Sequence, residues 1–277
     1  IGVPLDDLKI VQMATGGTFG YKFSPTMEGF LGVAAVATNR PVYLGLNMYQ
    51  QITYTGKRSP FFMHVKLAAD KAGKLNAMET DWSVDHGPYC EFGDLVTMRG
   101  SQFIGAGYNI PNIRGEGRTV CTNHAWGSAF RGYGSPQALF ASEVMMDKLA
   151  KKMNVDPLEL RYKNVYRKGD KTPTGSDPDV IVLPQMLDTI RPKYLAAKDA
   201  AKAKNAKGGV NKYGVGISLL IYGTGLDGAD SSEAWAELTK EGVTVANSWE
   251  DHGQGADMGT LTIAHETLRK IGIKSQQ

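Results

Sequence analysis

Glycine-rich junctions constrain this chain more than any other feature of its sequence. Glycines cluster at three separate places, Gly16–Gly20, Gly127–Gly134 and Gly253–Gly255. In the pattern of apolar residues, each cluster lies where a predicted strand runs into a helix or a loop. Because glycine lets backbone amides approach a ligand closely, this recurrence favours a site built from backbone donors. Three such loops that converge would bind a large anionic cofactor, although separate turns in a cofactor-free binding domain are the alternative.

The second cluster carries the strongest chemical signal. Arg131 is a single charge among glycines, with Phe130 and Tyr133 beside it, and Pro136 then opens a helical pattern. Arginine offers a planar fork of donors to an oxyanion, and proline is well placed in a first helical turn. A cation, glycine amides and a helix start together favour an anionic ligand. A tight turn that carries a surface arginine is the alternative interpretation.

Composition and periodicity predict an α+β fold with two domains. The 277 residues, of which 42% are hydrophobic, suffice for two cores. A segment rich in Lys, Gly, Asp and Pro, Tyr166–Pro178, predicts a linker and hence domains 1–170 and 171–277. The predicted helices are Pro25–Thr38, Val96–Gly107, Gln137–Met153, Asp156–Val165, Leu183–Asn205 and Met258–Lys270. The predicted strands are Lys9–Ala14, Pro41–Tyr49, Phe61–Ala69, Leu75–Trp82, Tyr108–Ile113, Gly214–Tyr222, Ala234–Leu238 and Val243–Trp249.

Charge and cysteine content exclude several classes. The net charge of +3 is too small to indicate a nucleic-acid or membrane partner, and the chain has no run of 18 apolar residues. The two cysteines, Cys90 and Cys121, provide neither a disulfide framework nor an iron–sulfur spacing, which favours the cytoplasm. His124 and His252 lack further ligands at zinc spacing, so we expect no zinc site. The missing initiator Met predicts a fragment of a longer polypeptide.

At the three loops the sequence resembles the molybdenum-binding part of the xanthine oxidase family, and within it the aldehyde oxidoreductases of sulfate-reducing bacteria. The resemblance covers essentially the whole chain. The matching motifs are Gly16-Gly17-Thr18-Phe19-Gly20, Ile110-Pro111-Asn112-Ile113-Arg114-Gly115, Ala129-Phe130-Arg131-Gly132-Tyr133-Gly134-Ser135-Pro136-Gln137 and Gly253-Gln254-Gly255. It implies two elongated mixed α/β domains of the molybdopterin-binding type, both incomplete.

The resemblance also implies the cofactor, a molybdenum held by molybdopterin cytosine dinucleotide, with no direct protein ligand to the metal. By carry-over, Phe19 and Gly20 approach the oxo group of the metal, and Phe130 and Arg131 flank pterin and metal. Gln254 donates its side-chain amide to a metal oxygen. The full set of implied cofactor-binding residues is Gly17, Phe19, Gly20, Ala129, Phe130, Arg131, Gly253, Gln254 and Gly255.

The implied reaction converts an aldehyde and water into a carboxylic acid. Purine-oxidising members carry a glutamate where this chain has Phe23, which cannot hydrogen-bond a purine, so an apolar aldehyde channel is favoured. The implied channel residues are Phe23, Phe92, Leu95, Arg99 and Tyr133. Arg99 matches an arginine of the purine oxidases, and that position alone does not separate the two substrate classes. A purine or other heterocycle hydroxylase therefore remains the alternative within the family.

Some of the family's machinery has no match here. The general-base glutamate and the N-terminal domains with two [2Fe-2S] clusters lie outside this chain, so no catalytic residue is assigned and we expect the isolated chain to be inactive. The implied partners are an aldehyde, a redox acceptor such as flavodoxin or ferredoxin, and a second copy in a homodimer of the full-length enzyme.

Overall fold

The structure is a computed structural model that describes residues 2–11, 13, 15–23, 26–89, 91–178, 181–223 and 231–272. Its helices are α1 (Glu28–Thr38), α2 (Met48–Tyr54), α3 (Gly93–Phe103), α4 (Ser135–Met153), α5 (Pro157–Asn164), α6 (Leu183–Ala206) and α7 (Ala256–Lys270). Its strands are β1 (Phe61–Ala69), β2 (Leu75–Gly87), β3 (Asn112–Cys121), β4 (Ala234–Leu238) and β5 (Val243–Asn247). This mixed content confirms the predicted α+β class.

The chain forms two compact units. The central unit is Gly56–Tyr222, and the split unit combines Ile1–Thr55 with Gly223–Gln277. The boundary predicted near residue 170 differs from this division by contacts, and as a boundary between two cofactor-binding domains it stays a prediction. Among the described helices, none is both long and apolar enough to cross a membrane.

A three-stranded sheet organises the central unit. Strand β1 pairs with β2 in antiparallel register, and β2 pairs with β3 in parallel register. The tight turn between β1 and β2 is closed by Asp70, whose carboxylate accepts a hydrogen bond from the Lys74 amide at 2.8 Å. The predicted hairpin is therefore confirmed. A parallel third strand requires a crossover connection, and α3 lies in that connection.

Helices α3, α4 and α5 bury the apolar core of the central unit. Leu75, Met146 and Leu158 are almost fully buried there. A buried ion pair crosses this core, since Glu143 Oε2 accepts a bond from Arg161 Nε at 2.9 Å and another from the Leu219 amide at 3.0 Å. The pair links α4, α5 and a distant segment of the chain.

Helix termini follow the sequence signals closely. The Asp156 carboxylate accepts a hydrogen bond from the Leu158 amide at 2.8 Å, so α5 has the cap that its sequence predicts. Pro136 occupies the first turn of α4 and Gly134 precedes the helix with φ +97°. A side chain at residue 134 would collide with the backbone oxygen of Val96 in α3, so glycine is required there.

The split unit buries fewer of its described residues than the central unit does. It contains α1, α2, the antiparallel pair β4–β5, and α7. Among its described residues, only Thr18, Thr55 and Ala256 are buried. The strands predicted at Ala234–Leu238 and Val243–Trp249 are confirmed as β4 and β5. The turn at Thr239–Gly242 is confirmed too, because the Thr239 amide donates to the Gly242 carbonyl at 2.8 Å.

Four predicted strands are wrong in position or type. Residues 41–47 are irregular and then enter α2 through a capping box of Asn47 and Gln50. Residues 214–222, and the described part of 9–14, form no strand. The strand predicted at 108–113 begins later, at Asn112, and runs to Cys121. Gly115 and Gly117 lower the strand propensity of this segment, so the pattern of apolar residues did not predict it. A side chain at residue 117 would collide with the ring of Trp82.

Candidate functional site

Two of the three glycine loops pack against each other within the split unit. The Thr18 amide donates a hydrogen bond to the His252 carbonyl at 3.0 Å. A Cβ built on Gly253 would lie 2.8 Å from the Gly17 Cα, and Gly253 has φ +95°. Backbone therefore meets backbone at this contact, which no larger residue would allow. The convergence predicted for these two loops is present in the structure.

Phe19 has an unusual backbone for an aromatic residue. Its φ is +53°, and its side chain is 57% exposed. The Gly20 amide next to it donates to Thr18 Oγ1 at 3.1 Å, which stabilises the turn. Nearby, the Phe23 ring meets His252 edge to face, with 4.9 Å between ring centroids. A strained backbone that presents an aromatic ring is typical of a binding site.

Asp251 is the residue of this loop that the sequence prediction missed. Its carboxylate accepts hydrogen bonds from the amides of Gly253 at 2.7 Å, Gly255 at 3.4 Å and Asp257 at 3.1 Å. The bonds from the Asp257 and Gly253 amides lower the pKa of Asp251. The only sequence signal is an Asp two residues before a glycine at a helix start, which is typical of an Asx turn.

Gln254 is fixed by its own loop. Its Nε2 donates to the Glu250 carbonyl at 2.8 Å, and its Oε1 accepts from the His252 amide at 2.6 Å. An amide NH2 has two hydrogens, so the second can reach another acceptor. In this loop the backbone amides of Gly253 and Gly255 already bond Asp251, and the Gln254 side chain is the donor best suited to a bound oxygen. The cofactor assignment of Gly253, Gln254 and Gly255 stays a prediction.

The remaining loop, Gly127–Gly134, belongs to the central unit. Ala129 is fully buried, Phe130 is 36% exposed and Arg131 is exposed. Within the described part of the chain, the Arg131 guanidinium has neither a hydrogen-bond nor an ion-pair partner. The α4 helix that follows begins at Ser135, and its N-cap residue Gly134 provides no side-chain cap. An unpaired cation beside an uncapped helix start suits an anion with phosphates, so these residues fit the implied cofactor.

Arg58 supports this loop, and the sequence prediction did not include it. Its guanidinium lies 4.7 Å from the centroid of the Phe130 ring and donates to the Arg131 carbonyl at 2.6 Å. The next residue, Ser59, accepts a bond from Gln137 Nε2 at its carbonyl, at 3.0 Å. No motif marked Arg58, because its importance depends on a partner more than 70 residues away.

The predicted channel residues of the central unit lie together. Phe92 and Tyr133 contact edge to face at 6.1 Å between centroids. Arg99 is buried in α3 with its guanidinium 5.3 Å from the Tyr222 ring. Leu95, on the first turn of the same helix, is partly exposed. Burial raises the pKa of Tyr133 to about 12, so its hydroxyl stays protonated and able to donate.

The structure thus brings the predicted residues together in two groups. Phe23 lies with the two loops of the split unit, and the other channel residues lie with the Ala129–Arg131 loop. That all three loops surround one cofactor stays a prediction. Among the described residues, no group of three or more His, Cys, Asp or Glu side chains could hold a metal ion. Cys90 lies outside the described residues, and Cys121 is exposed.

Comparison with known proteins agrees with this picture. Residues 1–165 match one molybdopterin cofactor-binding domain model, and residues 189–277 match a second. Over its whole length the chain is 62% identical to the aldehyde oxidoreductase of Megalodesulfovibrio gigas, of which it covers 30%. It is 33% identical, over 63% of its length, to the nicotinate dehydrogenase large molybdopterin subunit of Eubacterium barkeri, of which it covers 41%.

A solved structure gives the same result. The aldehyde oxidoreductase of Desulfovibrio desulfuricans superimposes with a TM-score of 0.87 at 61% identity, over 94% of this chain and 29% of that one. The chain therefore spans about a third of the length of the aldehyde oxidoreductases it resembles. The two domain matches, which together cover most of the sequence, show that this chain belongs to the family of molybdopterin cofactor-binding domains.

Proposed function

We propose that this chain is the central part of the catalytic subunit of a molybdenum-dependent aldehyde oxidoreductase. The enzyme would convert an aldehyde and water into a carboxylic acid, and would release two electrons and two protons. The observation that carries the proposal is the contact of the Gly16–Gly20 and Gly253–Gly255 loops, in a chain 62% identical throughout to an aldehyde oxidoreductase. Backbone contact between loops so distant in sequence provides a preorganised site.

Different loop residues would bind different parts of the cofactor. Arg131 and the start of α4 would bind its anionic part, and Phe130 would line its pterin. Phe19 and Gly20 would approach the metal, and Gln254 would donate its remaining amide hydrogen to a metal oxygen. When bound, the molybdenum–pterin group activates water and accepts the two electrons. Fixed donors aimed at developing negative charge are worth on the order of 3 kcal/mol each in oxyanion holes.

The channel residues would bind and orient the aldehyde. The rings of Phe23, Phe92 and Tyr133, with Leu95, would exclude water from the reacting carbonyl. The raised pKa of Tyr133 keeps its hydroxyl able to donate a hydrogen bond to the carbonyl oxygen. We assign proton abstraction to a glutamate outside this chain.

The finer identity of the cofactor and partners is part of the same proposal. We infer the cytosine dinucleotide form of molybdopterin, two [2Fe-2S] clusters in other domains, and a flavodoxin or ferredoxin as acceptor. We further infer a cytoplasmic homodimer, and a boundary between the two cofactor-binding domains near residue 170. With two cysteines, this chain could not supply the four thiolates of one [2Fe-2S] cluster, so such clusters would have to lie in other domains.

A heterocycle hydroxylase is the second candidate. Arg99 is compatible with it, because a buried guanidinium beside Tyr222 could bind a polar ring, although this position alone does not separate the two substrate classes. The resemblance to a nicotinate dehydrogenase subunit also supports it. Phe23 opposes it, because its ring offers no hydrogen bond where the purine oxidases have a glutamate.

Metal analysis and turnover of the native protein test the proposal. We expect about one molybdenum and two phosphorus atoms per catalytic subunit, as a pterin dinucleotide requires, with oxidation of benzaldehyde but not xanthine. Arg131→Ala should lower the molybdenum content, whereas Arg118→Ala, which changes an exposed arginine of β3 outside the matching motifs, should not. Protein without molybdenum and without aldehyde turnover would refute the proposal, and xanthine turnover alone would establish the second candidate.

A further inference from the structure

Arg58 contacts Phe130 and Arg131, the two residues of the Gly127–Gly134 loop that are predicted to flank the pterin and the metal. One face of its guanidinium lies over the Phe130 ring, 4.7 Å from the centroid. One edge donates to the Arg131 carbonyl at 2.6 Å. A single rigid group therefore fixes the ring plane of one residue and the backbone of the next. Lysine could not do both, because its ammonium is a point charge without a planar face.

The position of Arg58 is itself fixed. Its Nη1 lies 3.4 Å from Gln137 Oε1, and the Nε2 of the same glutamine donates to the Ser59 carbonyl at 3.0 Å. The backbone on either side pairs with the loop, since the Lys57 amide donates to the Trp126 carbonyl at 3.0 Å. Arg58 is thus anchored to the first turn of α4 and to the segment that enters the loop.

Electrostatics argues against a simple ion-pair role. In the described part of the chain, no carboxylate forms a salt bridge with Arg58. Partial burial disfavours its charged form and lowers its pKa. A cation kept partly buried without a carboxylate costs free energy, and the carbonyl and the aromatic ring offset only part of that cost. Its position is therefore better explained by the loop that it holds.

We infer that Arg58 is a positioning residue, which holds Phe130 and Arg131 in the geometry needed to bind and orient the molybdenum–pterin cofactor. This inference rests on the proposed function. It assigns no chemical step to Arg58, which acts only through its neighbours. A displacement of reacting groups by about 1 Å can lower a rate as much as a hundredfold, so a lost support can be measured far from the reaction.

The test compares Arg58→Lys, Arg58→Ala and Arg118→Ala in the full-length holoenzyme. Arg118 is the matched control, because this arginine of the same unit pairs with Asp81 and Glu116 on the exposed side of the sheet. Four quantities are measured: kcat with benzaldehyde, molybdenum content, the electron paramagnetic resonance spectrum of the partly reduced molybdenum, and the melting temperature. Each is repeated for Arg58→Ala with added guanidinium at millimolar concentration.

We expect both Arg58 variants to lower kcat about tenfold and to change the resonance spectrum, with Arg118→Ala unchanged. Added guanidinium should restore part of the Arg58→Ala loss, because it supplies the missing planar donor. Wild-type values for Arg58→Lys would overturn the inference, since charge alone would then suffice. So would a fall in melting temperature with unchanged kcat and spectrum. Wild-type enzyme that is purified without molybdenum would instead refute the proposed function. Failure of the inference and failure of the proposed function are therefore distinguishable.

Discussion

The two glycine-loop regions are held in place by opposite charges. In the split unit, the Asp251 carboxylate accepts three backbone amides and organises the loop from inside. In the central unit, Arg58 lies against the Phe130–Arg131 loop from outside. In the Gly253–Gly255 loop, the backbone amides of both glycines bond Asp251, and the Gln254 side chain is the donor left for a ligand. The Gly127–Gly134 loop leaves a cation and a helix start for a ligand, so similar glycine patterns can offer different chemistry.

The units also differ in how much they bury. The central unit has a continuous apolar core and a buried ion pair between Glu143 and Arg161. Most large apolar residues of α1 and α2, such as Phe30, Met48 and Tyr49, are exposed. Because apolar burial is the main favourable term in folding, we expect the central unit to be the more stable of the two.

The largest expected effect tests the buried ion pair. Glu143→Ala should destabilise the central unit by about 4 kcal/mol, because the buried Arg161 Nε and Leu219 amide lose their acceptor and Arg161 keeps only the more exposed Asp147 as a carboxylate partner. The change in free energy of unfolding is measured by urea unfolding and by amide hydrogen exchange in the central unit. Glu79→Ala is the control, since Glu79 pairs with Lys66 on an exposed surface and should cost about 0.5 kcal/mol or less. Equal losses would contradict the difference that we draw between buried and exposed contacts.

A matched pair of glycine substitutions compares the loops directly. Gly134→Ala should cost about 3 kcal/mol, because the new methyl group collides with the α3 backbone at a positive φ. Gly255→Ala, with φ +86° and nothing near its Cβ position, should cost about 1 kcal/mol from backbone strain alone. Thermal melts of the two variants measure the difference. A Gly255 variant as unstable as the Gly134 variant would show that the split-unit loop is packed more tightly than the structure indicates.

The smallest expected effect concerns pH. The folded pKa of Asp251 is lowered by backbone amides, so its contribution to stability is present above its unfolded pKa, near 4. That contribution is lost as pH falls through the lower folded value. Asp251→Asn should therefore slightly lower the melting temperature at pH 7, with a difference that shrinks toward pH 3. Melts across this range decide it, and a difference independent of pH would exclude the charge as its cause.

The sequence predicted elements where local signals and tertiary packing agree. The hairpin of β1 and β2, the α5 cap at Asp156 and the Pro136 start of α4 each have a short-range cause. Strand β3 was misplaced because its glycines lower strand propensity, although those glycines make room for Trp82. Its pairing with β2 is a long-range contact that periodicity does not reveal.

The site was predictable to the same extent. The sequence motifs located all three loops, and the contact between the Gly16–Gly20 and Gly253–Gly255 loops is present as predicted. Asp251 and Arg58 were missed for one reason. Each acts by a hydrogen bond to backbone whose direction depends on the folded loop, and an isolated Asp or Arg carries no such information in sequence.

The hydrogen bond from Thr18 to His252 joins residues that lie on opposite sides of the central unit in sequence. During synthesis the central unit can collapse as soon as residue 222 has left the ribosome, since all its partners are then available. Residues 1–55 can complete their contacts with residues 223–277 only after that second segment emerges. Their exposed aromatic and aliphatic side chains are the part of the nascent chain that a chaperone would have to shield.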